Sequence, residues 1–230
     1  MIEIKKICWY NKVHSLRKKE FILIINKTVK EIIEWCICII VAVALGLGIK
    51  YYIGTPTLVQ HTSMYPTLKS GERLLLNRLY RTFQNAPQRG EIITFEAPIS
   101  KAESKENPVA IYDNSQKGFF ENFIYYTLEI GKTSYIKRVI GLPGEHVEIK
   151  DGKVFINGEL LIEDYLTEGL YTNEGGEYTD IIVPQDCIFV MGDNRSASMD
   201  SRSFGCVPIS KIEGKVLLRF WPIDRWESVE

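Results

Sequence analysis

Two residues have the types and the settings needed for nucleophilic catalysis. Ser63 stands in the segment Ser-Met-Tyr-Pro, and Lys137 stands in a strand-like run of apolar residues. A serine hydroxyl is a weak nucleophile near neutral pH and needs a base beside it. Lysine serves as that base only when it is neutral, which requires burial to lower its pKa from about 10.4. Together the two residues suggest a hydrolase with a serine nucleophile and a lysine base.

The strand around Lys137 offers such burial on one of its two faces. Alternation along a strand places Lys137 with Tyr135 and Val139, and places Arg138 on the opposite face. We therefore expect Lys137 to point inward and Arg138 to point away. Most lysines in strands are solvated, and most serines in such segments lie in turns, so neither residue identifies a site alone.

Four short motifs, in order along the chain, give the pair its context. They are SMYPTL at residues 63–68, RGEIITF at 89–95, YIKRVIGLPGE at 135–145, and GDNR at 192–195 followed by SMDSR at 198–202. With these motifs the chain resembles the bacterial type I signal peptidases, the membrane-bound Ser/Lys endopeptidases of family S26, over residues 30–220. The resemblance implies cleavage of signal peptides from exported preproteins by a mainly β extracytoplasmic domain, with no metal or organic cofactor.

The resemblance also implies roles for individual residues. Ser63 becomes the nucleophile, whose backbone N–H helps to stabilise the oxyanion, and Lys137 becomes the general base. Ser198 is expected to hydrogen-bond and orient the lysine, and Asp200 and Arg202 to form a buried ion pair that braces the site. Such a pair can also hold a loop together without a catalytic effect. The residues expected to line shallow pockets for small side chains before the scissile bond are Val59, Met64, Leu68, Tyr135 and Ile136.

Two features depart from the family pattern. Some members have a serine two positions before the nucleophile that also donates to the oxyanion, whereas this chain has His61 there, followed by Thr62. The second donor is His61, Thr62 or neither. Residues 97–133, between the second and third motifs, form a longer stretch than a compact member needs, and the sequence does not indicate its function.

An apolar run before the motifs has the composition of a membrane anchor. It covers residues 35–49, or 32–49 if Glu34 lies near the interface, and a spanning helix needs about 17–25 residues. Residues 1–31 carry eight Lys/Arg and three Glu, which predicts a cytoplasmic N-terminus. The alternatives are a cleaved signal peptide and a buried core helix. We expect a basic cytoplasmic arm at 1–31, a single-pass plasma membrane anchor at 32–50 and an extracytoplasmic peptidase domain at 51–230.

The outer part of the chain has the pattern of a barrel-like β domain. An extended stalk is expected at residues 51–62, and strands at 72–77, 91–95, 134–140, 187–191 and 214–220. Asp151-Gly152 and Asn157-Gly158 divide residues 145–162 into three alternating segments, which is typical of a three-stranded meander.

The long stretch at 97–133 has two parts. Residues 98–117 are polar and predict a surface loop. In residues 118–130 apolar side chains recur at helical spacing. That helix either packs on the domain or rests on the bilayer, since Phe and Tyr suit the membrane interface.

Composition restricts the remaining functions. The chain is 45% hydrophobic and 25% charged with a net charge of −1, so a packed core is expected. It has no basic stretch interleaved with aromatic residues, and nucleic acid is not an expected partner. Its three histidines are scattered, and its cysteine spacing is unlike a zinc site. A disulfide between Cys187 and Cys206 is allowed, but sequence does not establish connectivity.

The expected partners are signal peptides of secreted preproteins, the lipid bilayer and the protein-export machinery. Two other functions fit the same fold. One is a specialised signal peptidase for a narrow client, such as a pilus or conjugation protein. The other is a non-catalytic membrane-anchored assembly factor, which would need neither Ser63 nor Lys137.

Overall fold

The chain forms two compact units, Met1–Gly48 and Ile49–Glu230. The computed structural model describes residues 2–83, 86–113, 115, 118–167 and 169–229, without the side chains of residues 2–26 and Phe119. Helix α1 runs over Ile2–Tyr52. Its segment Lys27–Tyr52 is 26 residues long, is apolar enough to cross a membrane and has none of its most apolar window buried. The interpretation of this run as a buried core helix is therefore wrong. The basic side chains up to residue 26 lie outside the described residues.

The second unit is mainly β, as the sequence predicts. Its described strands are β1 (Gly54–Leu58), β2 (Arg73–Asn77), β3 (Ile92–Glu96), β4 (Ser134–Gly141), β5 (His146–Lys150), β6 (Lys153–Ile156), β7 (Glu159–Leu160), β8 (Asp180–Ile182), β9 (Cys187–Met191), β10 (Val207–Pro208), β11 (Ile212–Trp221) and β12 (Glu227–Ser228). The short α-helices are α2 (Leu79–Thr82), α3 (Phe119–Asn122) and α4 (Ser201–Phe204). Single turns of 3-10 helix lie at Ile209–Lys211 and Ile223–Arg225.

The strands belong to two antiparallel sheets. The larger has the order β1-β2-β11-β3-β4-β9-β10, with β12 beside β11, and the smaller has the order β7-β6-β5-β8. The five strands predicted outside the meander all form, each with ends within two residues of the prediction. Closure of the larger sheet into a barrel stays a prediction.

The predicted meander is the greater part of the smaller sheet. Strands β5, β6 and β7 follow one another and pair in that order. The two turns place Asp151 and Asn157 at φ 52° and their following glycines at φ 73° and 82°. Asn-Gly and Asp-Gly tolerate this left-handed geometry, which explains why the sequence predicts these turns correctly.

Two irregular segments are more ordered than the sequence indicates. The stalk at 51–62 contains β1, which pairs with β2 through Thr57 and Leu74 and buries Thr55. The surface loop predicted at 98–117 buries Ala102 and Tyr112 against the core, although most of its residues are polar. Both expectations are therefore incorrect in part, because local polarity does not reveal tertiary pairing.

The helical segment at 118–130 forms as α3 followed by a π-helical turn, Phe123–Leu128. Tyr125 packs toward the domain and donates a hydrogen bond to Glu96 at 3.1 Å. The exposed apolar members of the segment are Phe120, Phe123, Ile124, Leu128 and Ile130. The segment thus contacts the domain with one face and presents an apolar face to its surroundings.

Cys187 and Cys206 are both buried and free, so the allowed disulfide does not form. In the pairing of β9 with β10, Cys187 lies opposite Pro208 and not opposite Cys206. Burial raises the pKa of the Cys187 thiol to about 11 and raises that of Cys206 as well. The two residues act as small apolar members of the core.

Candidate active site

Ser63 and Lys137 meet across the larger sheet, although 74 residues separate them in sequence. The Nζ atom of Lys137 lies 2.8 Å from the Oγ atom of Ser63 and 3.0 Å from the carbonyl oxygen of Ile136. Strand β4 supplies the lysine, and the turn after β1 supplies the serine. This is the hydrogen-bond distance that a nucleophile and its base require.

The setting of Lys137 favours its neutral form. The residue is only 4% exposed, and burial lowers the pKa of its ammonium group from 10.5 to about 8. Asp200 and Asp193 oppose this change because their negative charges raise the pKa, while the positive charge of Arg202 lowers it. Desolvation is the largest effect, as expected for a cation enclosed by apolar groups.

A loop between β9 and α4 holds the backbone around Ser63. The N–H of Asn194 donates to the Ser63 carbonyl at 3.0 Å, and its side-chain amide donates to the Thr62 carbonyl at 3.1 Å. Gly192 lies so close that a Cβ atom there would stand 2.4 Å from the Ser63 carbonyl oxygen and 2.2 Å from Ser198 Oγ. Only glycine permits this approach. The loop therefore sets the position of the serine.

The predicted ion pair between Asp200 and Arg202 forms in the same loop. The guanidinium donates two hydrogen bonds of 2.8 Å, one to each carboxylate oxygen, and both residues are buried. Asp200 also accepts from the Gly192 N–H at 3.0 Å and caps helix α4. The pair thus contacts Gly192, which adjoins Ser63, and its role in bracing the site stays a prediction.

The hydrogen bond expected from Ser198 to Lys137 is not formed. Ser198 Oγ is buried and has no hydrogen-bond partner among the residues that the structure describes. It lies beside Gly192, on the loop that adjoins the dyad. Its role as the group that orients the lysine stays a prediction.

A second buried ion pair was not predicted. Arg138 donates to both oxygens of Asp193, at 3.0 and 2.8 Å, and to the Gly90 carbonyl at 2.8 Å. Thr67 donates to the same carboxylate at 2.6 Å. Arg138 therefore does not point into solvent, since both faces of β4 are covered at this position. Asp193 stands within the GDNR motif, but the motif does not indicate which residue pairs with it.

The dyad opens into a cleft of about 610 Å³. One wall is formed by β1 and the chain up to Ser63, and the other by residues 132–137. Strand β1 ends the order of the larger sheet, and β4 pairs with β9 from Arg138 onward. The edges that face the cleft are therefore unpaired in the described part of the chain. Such edges can accept an extended peptide by main-chain hydrogen bonding.

Three of the five predicted pocket residues line this cleft: Val59, Tyr135 and Ile136. Met64 and Leu68 do not. Both are completely buried in a core cluster beneath the serine, where they pack with Leu74 and neighbouring apolar residues. Burial of these side chains supports the turn that follows Ser63, and Leu68 closes that turn by donating its N–H to the Met64 carbonyl at 2.8 Å.

Comparison with known proteins agrees with this geometry. The family model described as "Signal peptidase, peptidase S26" matches residues 32–221. The chain is 35% identical to signal peptidase I of Bacillus amyloliquefaciens, over 82% of this chain and 85% of that protein. It is 33% identical to signal peptidase I T of Bacillus subtilis strain 168, over 89% of this chain and 93% of that protein. It is also 33% identical to probable signal peptidase I-2 of Synechocystis, over 81% and 72% of the two chains.

The chain belongs to the S26 signal peptidase family. This establishes the enzyme class as a type I signal peptidase, a serine endopeptidase with a Ser/Lys dyad that acts on signal peptides of preproteins. The family is membrane-anchored, in agreement with the apolar helix at the N-terminus.

This S26 member has His61 where some members of the family have a serine that donates to the oxyanion. His61 and Thr62 both line the cleft and are exposed. The carbonyl of Thr62 accepts a hydrogen bond from the Asn194 side chain, which fixes the peptide between Thr62 and Ser63. Whether His61, Thr62 or neither supplies the second donor to the oxyanion stays a prediction.

Proposed function

We propose that the protein is a membrane-bound serine endopeptidase that removes N-terminal signal peptides from exported preproteins at the outer face of the plasma membrane. The observation that carries the proposal is the 2.8 Å contact between Ser63 Oγ and the buried Nζ of Lys137. The basic residues of the first 31 positions support a cytoplasmic N-terminus and an extracytoplasmic peptidase domain at residues 51–230. The anchor at residues 32–50 would keep the site where the substrate leaves the bilayer. The bilayer and the export machinery are the partners that this location implies.

The reaction would proceed through an acyl-enzyme. Neutral Lys137 takes the proton of Ser63 as Oγ attacks the scissile carbonyl carbon, and the Ser63 N–H donates to the resulting oxyanion. Each such donor is worth about 2.7–4 kcal/mol in an oxyanion hole. The protonated lysine then gives its proton to the leaving amine as the C–N bond breaks. The lysine then takes a proton from a water molecule that attacks the ester carbonyl, and it gives this proton to Oγ as the C–O bond breaks, which restores Ser63 and the neutral lysine.

The substrate would lie extended between the two unpaired strand edges. Val59, Tyr135 and Ile136 would border the small side chains just before the scissile bond. The resemblance to the family implies that these residues favour small side chains such as alanine. Burial of Lys137 beneath this strand would increase when the substrate is bound, which favours its neutral form further.

The test is cleavage of a preprotein with an Ala-x-Ala signal peptide in detergent micelles. Wild type should cleave it, while Ser63→Ala and Lys137→Ala should lose activity by about 10⁴-fold or more, as removal of a catalytic nucleophile or its base does. Ser203→Ala and Lys101→Met are matched controls, since both residues are exposed. A folded wild type that leaves the preprotein intact would contradict the proposal.

A further inference from the structure

The end of the long stretch at 97–133 forms a wall of the substrate cleft. Glu129, Lys132 and Thr133 line it beside Ser134, opposite Thr55 on β1. The sequence does not indicate a function for this stretch, yet its last residues stand where an extended substrate would pass. We refer to the cleft around Arg78, Glu129, Lys132 and Glu213 as the polar end.

Two ion pairs build the polar end, and three of their four side chains are almost fully buried, while that of Glu129 is 28% exposed. Arg78 pairs with Glu129, and Lys132 pairs with Glu213 at 2.6 Å. The side chains of Arg78, Lys132 and Glu213 are 3%, 4% and 5% exposed. Ser134 adds a hydrogen bond to Glu213 at 3.0 Å. Charged groups with so little exposure cost free energy unless they have a complete set of partners.

The set of partners is incomplete at one atom. The Nε N–H of Arg78 is buried without a hydrogen-bond acceptor in the described part of the structure. Arg78 is one of the residues that line the cleft, so an acceptor group could arrive from a bound peptide. An apolar side chain in this position would leave the donor unpaired and would further desolvate both ion pairs.

The charges at the polar end select the kind of acceptor. Both carboxylates are already paired, Glu129 with Arg78 and Lys50 and Glu213 with Lys132. An acidic side chain would meet two carboxylates and compete for their cations, and a basic one would meet three cations. A neutral side chain with an oxygen acceptor satisfies the free N–H and disturbs neither pair.

The position of the polar end indicates which part of the substrate reaches it. Lys132 precedes Lys137 by five residues, which is about 16 Å in extended chain and corresponds to about five substrate residues. Lys50, at the end of the membrane-spanning segment, contacts Glu129 at 3.2 Å and the Leu128 carbonyl at 3.4 Å. A substrate that emerges from the bilayer therefore passes the polar end first and the dyad afterwards.

From this arrangement we infer that the polar end is a specificity subsite for Asn, Gln, Ser or Thr about five residues before the cleaved bond. The inference rests on the proposed function, because it places a signal peptide in the cleft. It also gives the end of the 97–133 stretch a function, which is to close one side of this subsite.

The test compares two otherwise identical preproteins with Asn or Leu, which have similar volumes, at the fourth, fifth or sixth residue before the cleaved bond. Wild type should show a kcat/KM about three- to tenfold higher for Asn at one of these positions, which is the effect of one hydrogen bond. Arg78→Lys keeps the charge toward Glu129 but lacks the Nε donor, so this ratio should fall toward one. Lys101→Met, which breaks the exposed Lys101–Glu177 pair, should keep it.

The outcomes separate the two proposals. Equal cleavage of the Asn and Leu preproteins by wild type at all three positions would overturn the subsite while leaving the proposed function intact. A preference that Arg78→Lys preserves would also overturn it. Cleavage of neither preprotein by folded wild type would reject the proposed function, and the subsite with it. The comparison within wild type needs no variant, so a poorly folding Arg78→Lys does not prevent the test.

Discussion

At the scale of single residues, the proposed chemistry depends on one lysine whose charge is unfavourable in its surroundings. Lys137 is enclosed by apolar groups, and its pKa of about 8 leaves roughly one tenth of the molecules with a neutral base at pH 7. The carboxylates of Asp200 and Asp193 prevent a larger decrease. Burial thus increases the fraction of Lys137 that is neutral, and the two carboxylates reduce it.

The pH profile of the wild-type enzyme follows from this pKa. Because Lys137 must be neutral, kcat/KM should rise about tenfold per pH unit below pH 8 and level off above it. Initial rates on one preprotein between pH 5.5 and 9.5, as approximate limits, measure this profile. A rate that stays constant through this interval would show that no group with the pKa of Lys137 acts as the base.

The same residue should lower the stability of the fold. An unfolded lysine has its ordinary pKa, so the full cost of the lowered pKa is present below about pH 8 and disappears as the pH rises to about 10.5. Lys137→Met should therefore raise the free energy of unfolding at pH 7 by about 1–3 kcal/mol, after allowance for a lost hydrogen bond. Urea unfolding at pH 7 and pH 10 measures the change. If Lys137→Met is less stable than wild type at pH 7, then the buried charge of Lys137 does not destabilise the fold.

At the scale of elements, one loop and one strand edge define the site. Strand β4 carries Lys137, while the loop at residues 192–200 fixes Ser63 through Asn194 and through the close approach of Gly192. The sequence predicted the strands well, because alternation and turn residues are local signals. It did not predict β1 or the burial of Met64 and Leu68, because these depend on which segments pair in space.

Gly192→Ala tests whether this loop positions the nucleophile. The added Cβ would stand 2.4 Å from the Ser63 carbonyl oxygen, so the backbone there must move. A displacement of about 1 Å can reduce the rate about 100-fold, and we expect kcat/KM to fall by that order. Gly118→Ala is the matched control, since a Cβ there has no neighbour within 4 Å. Near wild-type activity in Gly192→Ala would show that the serine does not depend on this contact.

At the scale of the whole molecule, the chain combines an apolar helix with a catalytic β unit. The motifs of the sequence were sufficient to identify the family, the dyad and the Asp200–Arg202 pair, since each is carried by a short ordered segment. The pairing of Arg138 with Asp193 and the polar end of the cleft were not predictable. Both join segments far apart in the chain, so no periodicity records them.

The remaining question at this scale is whether the segment at 118–130 rests on the bilayer. Its exposed apolar side chains are Phe120, Phe123, Ile124, Leu128 and Ile130, and the Leu128 carbonyl accepts a hydrogen bond from Lys50 at the end of the spanning segment. We therefore expect this face to insert into the interfacial region of the membrane. Residues 49–230 form a compact unit of their own, which permits a test without the anchor.

A fragment of residues 51–230 should sediment with lipid vesicles, and Phe120→Ser combined with Phe123→Ser should weaken this binding at least tenfold. The reason is that full burial of a phenylalanine side chain contributes about 1.5–3 kcal/mol, and both rings are now exposed. Leu160→Ser combined with Ile162→Ser is the matched control, because these exposed apolar residues lie in the meander. Equal binding of the two double variants would mean that the apolar face at 118–130 does not contact lipid, and that the helix alone holds the site at the membrane.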